Sequence, residues 1–201
     1  MSALLPLFPL DVVLFPDMSL PLHIFEPRYK EMIGECLADK TPFGVVRAKK
    51  NSVAEIGCSA EIANVIKKHE DGKLDIVVEG RQRFQIRGVN HDRSFLQAEV
   101  SYFEDEPGAN KPSDVTRAVK LHAEIVGLMG GEAFAPDVQE PQLSFQLAGA
   151  LPLDLDFKQT LLGLRSESER MIGLVEYFEA ILPNLRRAVK VRQKAGGNGH
   201  A

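Results

Sequence analysis

Residues 61–89 read EIANVIKKHEDGKLDIVVEGRQRFQIRGV, and their pattern decides the fold class. Two strand-like runs, Glu61 to Lys67 and Leu74 to Glu79, flank Glu70-Asp71-Gly72-Lys73, a hairpin turn signal in which glycine supplies the positive φ that other residues resist. Leu74, Ile76 and Val78 alternate onto one face, the period of a half-buried strand. A further run follows from Arg83 to Val89, and another, Phe43 to Arg47, precedes the hairpin. Downstream, Leu96, Ala98 and Val100 share one face while Gln97, Glu99 and Ser101 take the other.

Upstream, residues 5–25, LPLFPLDVVLFPDMSLPLHIF, are dense in apolar side chains, yet proline recurs every few positions. Proline cannot donate to a ladder, so this stretch predicts short strand pieces at edges, bends or a barrel rim. Pro27 then opens one amphipathic helix, with Tyr29, Met32, Ile33, Cys36 and Leu37 at helical spacing. The first hundred residues are therefore mostly β with one helix.

The character changes at EDEPGANKP, residues 104–112, a polar, turn-rich boundary. Beyond it, Ser113 can cap a helix whose Val115, Ala118, Val119, His122, Val126 and Met129 share a face before Gly130-Gly131. Pro141 to Gly149 and Leu155 to Leu164 predict two more helices, the latter capped by Asp154. Ser166-Glu167-Ser168-Glu169 has the form of a capping box. Its helix carries Met171, Leu174, Val175, Phe178, Ile181, Leu182 and Leu185 as an apolar stripe, with Pro183 expected to kink or interrupt it. The expectation is an α+β chain: a β unit over residues 1–106, a helical unit over 113–194 and a disordered tail over 195–201.

The 201 residues carry a formal net charge of -4 with both signs interspersed, so no chain-wide positive field exists to attract phosphate backbones. Two cysteines, Cys36 and Cys58, are too few for a disulfide framework and lack zinc-ligand spacing, which suits a reducing, cytoplasmic setting. No signal-peptide pattern and no run of about 18 uncharged apolar residues is present, so no membrane role is expected.

Three stretches resemble the N-terminal, substrate-binding domain of Lon proteases. They are LPLFPLDVVLFPDMSLPLHIFEPRY, AEIANVIKKHEDGKLDIVVEGRQRFQI with its VEG-x-x-RF ending, and LAGALPLDLDFKQTLLGLRSESERM. The resemblance implies a PUA-like β pseudobarrel followed by an α-helical bundle, in a stand-alone form without the ATPase and peptidase domains. It implies a non-catalytic module that binds unfolded polypeptide or a specific protein partner, as an adaptor or regulator of proteolysis. An RNA-binding PUA-like domain is the alternative, motivated by the basic run from Arg186 to Lys194, although nucleic acid fits the net charge poorly.

No phosphate-binding G-x-x-x-x-G-K-[ST] loop occurs. Gly57-Cys58-Ser59-Ala60 lacks the second glycine of a nucleophile elbow and reads as strand entry. The five histidines show no spacing that converges on a metal, and no cofactor, metal or catalytic residue is assigned. His122 and Cys36 read as core residues. The candidate polypeptide-binding residues are Phe15, Met18, His23, Phe25, Arg28, Tyr29 and Arg81. For the cluster from His23 to Tyr29 two readings stand: an anchor of the helix on the barrel, or a binding edge of aromatics and arginine. Phe15 and Met18 bracket a proline turn and are either tucked inside or presented at a loop tip.

Overall fold

A computed structural model describes residues 4–50, 52–108, 110–132 and 136–197. In chain order it contains β1 (Leu5–Leu10), β2 (Ser19–Ile24), α1 (Pro27–Asp39), β3 (Phe43–Lys49), β4 (Ser52–Lys68), β5 (Leu74–Asn90), β6 (Gln97–Phe103), α2 (Pro112–Leu128), α3 (Leu143–Gly149), α4 (Leu155–Gly163) and α5 (Glu167–Gly197). The fold is α+β. The chain divides into two units, Met1–Glu104 with Leu153–Gly163, and Asp105–Pro152 with Leu164–Ala201.

In the strand-built unit the order is β2-β5-β4-β3-β1-β6, and a further β5–β6 pairing closes β5, β4, β3, β1 and β6 into a ring. Among the described residues only β1 and β3 run parallel; every other pair is antiparallel. Strand β5 pairs with β4 along one edge and divides the other between two partners: its first rungs, from Leu74 to Glu79, pair with β2, and those from Arg83 to Asn90 pair with β6. That exchange is why its sequence reads as two separate runs. Register shifts between Cys58 and Ala60, Ile62 and Asn64, and Val65 and Lys67 let β4 follow the same bend.

Gly80 sits at the exchange. A Cβ built there would lie 2.1 Å from the carbonyl oxygen of Phe15, so only glycine lets the preceding loop approach this closely. The loop is held by Asp17 N–H donating to the Gly80 carbonyl at 2.9 Å and Gly80 N–H donating to Met18 at 3.0 Å. Gly57 has a packing reason too: Phe84 fills the space where its side chain would stand, 2.6 Å from the ideal Cβ. The stretch of β4 from Gly57 to Ala60 is built of small residues, which apolar alternation does not reveal.

Pro27 starts α1 with its fixed φ, and Lys40 ends it in the left-handed region at φ 53°. Tyr29, Met32, Ile33 and Cys36 face the core formed with Phe8, Phe43, Ile76 and Val78. Burial of side chains such as Met32 and Ile33 stabilises by roughly 1.5 to 3 kcal/mol each. The hairpin turn forms as expected, with Gly72 at φ 78° and His69 N–H bonded to the Lys73 carbonyl at 2.9 Å.

Helix α4 belongs to the strand-built unit. Its first turn is capped by Asp154, whose Oδ1 accepts from the N–H groups of Asp156 at 2.9 Å and Phe157 at 3.0 Å. It is tied to the strands by Arg47 on Asp156, by Gln159 Nε2 donating to the Ile56 carbonyl at 3.0 Å, and by Arg83 Nη1 donating to the Leu162 carbonyl at 3.2 Å. The expected helical segment of 113–194 is therefore interrupted, because these hydrogen bonds recruit residues 153–163 to the other unit.

In the helical unit, α5 buries Met171, Leu174, Phe178 and Leu182. Ser166 Oγ accepts from Glu169 N–H at 3.2 Å, the expected cap. Helix α2 starts two residues earlier than a Ser113 cap would place it, with Lys111 at the cap and Pro112 in its first turn; the Ser113 hydroxyl bonds Asp114 instead. Pro183 is exposed and does not interrupt α5, which continues to Gly197, into the expected tail; residues 198–201 lie outside the described residues. At the centre stands Arg170, 0% exposed, bonded to Asp105, Glu167, Ser144 Oγ at 2.9 Å and the Leu164 carbonyl at 2.8 Å, with its guanidinium 4.2 Å from the Phe145 ring centroid. Glu167 also accepts from the Ser144 N–H, satisfying the start of α3.

Candidate functional site

Strand β2 lies at the end of the sheet order, pairing with β5 from Ser19 opposite Glu79 to Ile24 opposite Leu74. Among the described residues its second edge has no strand partner, which leaves a row of backbone donors and acceptors. Leu20 and Leu22 are half-buried against the core, while Ser19, Pro21 and His23 are exposed. Pro21 removes one donor from this edge and so limits indiscriminate pairing. Ile24 is buried, and Phe25, 56% exposed, then turns outward before α1.

His23 is stacked on Phe25 with ring centroids 5.9 Å apart. Its Nδ1 is 2.6 Å from Asp75 Oδ1, the residue directly opposite in the β2–β5 ladder. The other carboxylate oxygen is 2.7 Å from Nε2 of His69, which follows β4. Hydrogen bonds from His23 and then His69 hold the Asp75 carboxyl below its ordinary range.

The remaining candidates divide by burial. Phe15 is 1% exposed and Met18 packs against the core, because their loop is bonded onto Gly80. Tyr29 is buried, its ring 4.1 Å from that of Phe8, and burial raises its phenol pKa. Arg28 is half-exposed, pairs with Glu26 at 2.8 Å and lies 4.6 Å from the Tyr29 ring centroid. Arg81 bridges Glu61 at 2.8 Å and Glu79 at 3.0 Å. Only His23 and Phe25 of the seven stand together at the free edge. Asp75 and Ile66, the latter 61% exposed, lie near the turn end of the β4–β5 hairpin with His69 just beyond β4, and all three escaped the sequence reading.

The cysteines and Ser59 have structural surroundings. Cys58 is fully buried and burial pushes its thiol up to about 12, while Ser59 Oγ is bonded to the backbone of Gln82 in the neighbouring strand. Cys36 is likewise raised by burial. His122 is 1% exposed, and burial lowers its pKa. Arg186, the first residue of the basic run, pairs with Glu124 at 2.6 Å. Among the described residues, no helix is long and apolar enough to cross a membrane.

The family model of the ATP-dependent protease La (LON) substrate-binding domain matches residues 4–178. The chain belongs to this family. The Lon N-terminal domain protein from Xanthomonas campestris superposes with a TM-score of 0.72 at 25% identity, covering 87% of this chain and 98% of that one. The N-terminal domain of Mycobacterium avium complex Lon protease has the same fold, with a TM-score of 0.71 at 18% identity over 88% of this chain and 98% of that one. In sequence, the chain is 27% identical to a Lon protease of Solibacter usitatus across 94% of its own length and 26% of that relative's. It is 23% identical to a Lon protease of Buchnera aphidicola across 94% of its own length and again 26% of the relative's. The chain thus spans about a quarter of the curated Lon proteases it matches.

Proposed function

We propose that this Lon substrate-binding domain chain is a non-catalytic module that captures extended polypeptide by strand addition along the free edge of β2, and serves proteolysis as an adaptor or regulator. The observation that carries the reading is the unpaired edge from Ser19 to Ile24 ending in the exposed Phe25. An incoming strand gains main-chain hydrogen bonds from the edge, which are indifferent to sequence. The Phe25 ring supplies an apolar anchor that favours aromatic or aliphatic side chains. A reducing, cytoplasmic setting suits Cys36 and Cys58, which are both free and buried.

The test is hydrogen exchange with and without β-casein, an unfolded polypeptide. Amides of residues 19–24 should gain protection in the complex, and Phe25→Ser should weaken binding about tenfold, or about 1.4 kcal/mol. Unchanged exchange at the β2 edge with saturating casein would rule out strand addition there.

A further inference from the structure

We propose that His23, His69 and Asp75 form a zinc site with three protein ligands and one open position. The three donor atoms, Nδ1 of His23, Nε2 of His69 and a carboxylate oxygen of Asp75, all lie within 4.8 Å of one another. Their backbones are set independently. His23 and Asp75 are cross-strand partners in the β2–β5 ladder, and His69 is fixed by the turn that bonds its N–H to Lys73. The ring of His23 is further oriented by stacking on Phe25 and meets the His69 ring edge-on at 5.8 Å.

Both imidazoles already aim one nitrogen at the same carboxylate, at 2.6 and 2.7 Å. Zinc bonds to nitrogen and oxygen are about 2.0 to 2.2 Å long and place neighbouring donors of a tetrahedral ion roughly 3.3 Å apart, so an ion that displaces the shared protons must open both nitrogen–oxygen contacts to about that spacing. Two imidazoles with one carboxylate suit zinc and its transition-metal neighbours, whereas calcium and magnesium call for an all-oxygen shell. The side chains are partly open to solvent, 52% for His23 and 32% for Asp75, which gives an entry path and leaves the fourth position to water. A bound ion would staple the edge strand to the hairpin turn. This assignment stands whether or not β2 accepts a polypeptide.

The experiment uses the tag-free chain, stripped with a chelator, titrated with Zn2+ in competition with a chromophoric chelator, and with Co2+ followed by its visible d–d absorption. One ion per chain should bind with a dissociation constant on the order of micromolar, with cobalt bands of low-symmetry, near-tetrahedral intensity. His23→Ala, His69→Ala and the near-isosteric Asp75→Asn should each weaken binding at least about tenfold. His91→Ala, at an exposed histidine outside the cluster, should leave it unchanged. Circular dichroism of each variant in chelator confirms the fold separately from the metal. No zinc uptake by the wild-type chain at about 100 micromolar, or equal uptake by the His23→Ala/His69→Ala double variant, would overturn the assignment.

Discussion

Both units bury an arginine, and each arginine joins different pieces of chain. In the strand-built unit Arg83, 2% exposed, is set against the Leu162 carbonyl and lies 4.8 Å from the Phe103 ring centroid. In the helical unit Arg170 is enclosed by two carboxylates, Asp105 and Glu167, with Ser144 and Leu164 completing its shell. The difference follows from what each unit has to hold together. Strands are already joined by ladders, and the bond from Arg83 to the Leu162 carbonyl attaches α4 to them. The segment at Asp105, the seven-residue α3 and the start of α5 share no ladder, and a single guanidinium joins all three.

The contrast predicts its own largest break. Arg170→Met removes the cation that Asp105 and Glu167 share, a defect of about 3 to 5 kcal/mol for a buried pair stripped of one partner. Exchange protection should fall throughout α2, α3 and α5 while β3 to β5 keep theirs; uniform loss over both units would show that they do not respond separately. Gly80→Ala should act on the other side, by about 1 to 3 kcal/mol, because the new methyl must displace the Phe15 carbonyl. Here the lost protection should fall on residues 13–24 and on β5. A wild-type melting profile for Gly80→Ala would show that the loop closes without needing this approach.

The smallest expected effect concerns surface charge on the strand-built unit. The Glu31 carboxyl is lowered by a hydrogen bond from Ser94 and then by Arg93, and Glu35 is lowered by Arg93. Folded values below the unfolded ones mean that this contribution is complete above the ordinary glutamate range, about pH 4.3. It is lost as pH falls from there through the folded values. Urea midpoints measured from about pH 5 down to pH 3 should therefore decline less steeply in Arg93→Ala than in the wild type. Identical slopes would mean that the pair is solvated and idle.

The elements written by local pattern were legible in sequence: the Gly72 hairpin, the Pro27 helix, the Asp154 and Ser166 caps. What was hidden depends on distant partners. Within β4, position 57 is glycine because Phe84, far along the chain, occupies the space where a side chain would stand. The stretch from Leu155 to Leu164 reads as helix, but nothing local says that Arg47, Arg83 and the Ile56 carbonyl will claim it. For the site, His23 and Phe25 stood out beside a proline-broken strand. His69 and Asp75 did not, since strand register rather than motif spacing puts them opposite His23. The positions of Phe15 and Met18 rest on Gly80, whose role shows only once the loop is seen against it.

The excursion of α4 has a consequence for synthesis. A ribosome delivers all six strands well before Leu162, so the nascent barrel waits with the Arg83 guanidinium lacking its helix carbonyl while residues 105–152 emerge. Completion of the earlier unit is thus delayed until most of the later one has been translated. A fragment cut in the polar stretch at 104–112 would carry every strand and still lack the piece that finishes them.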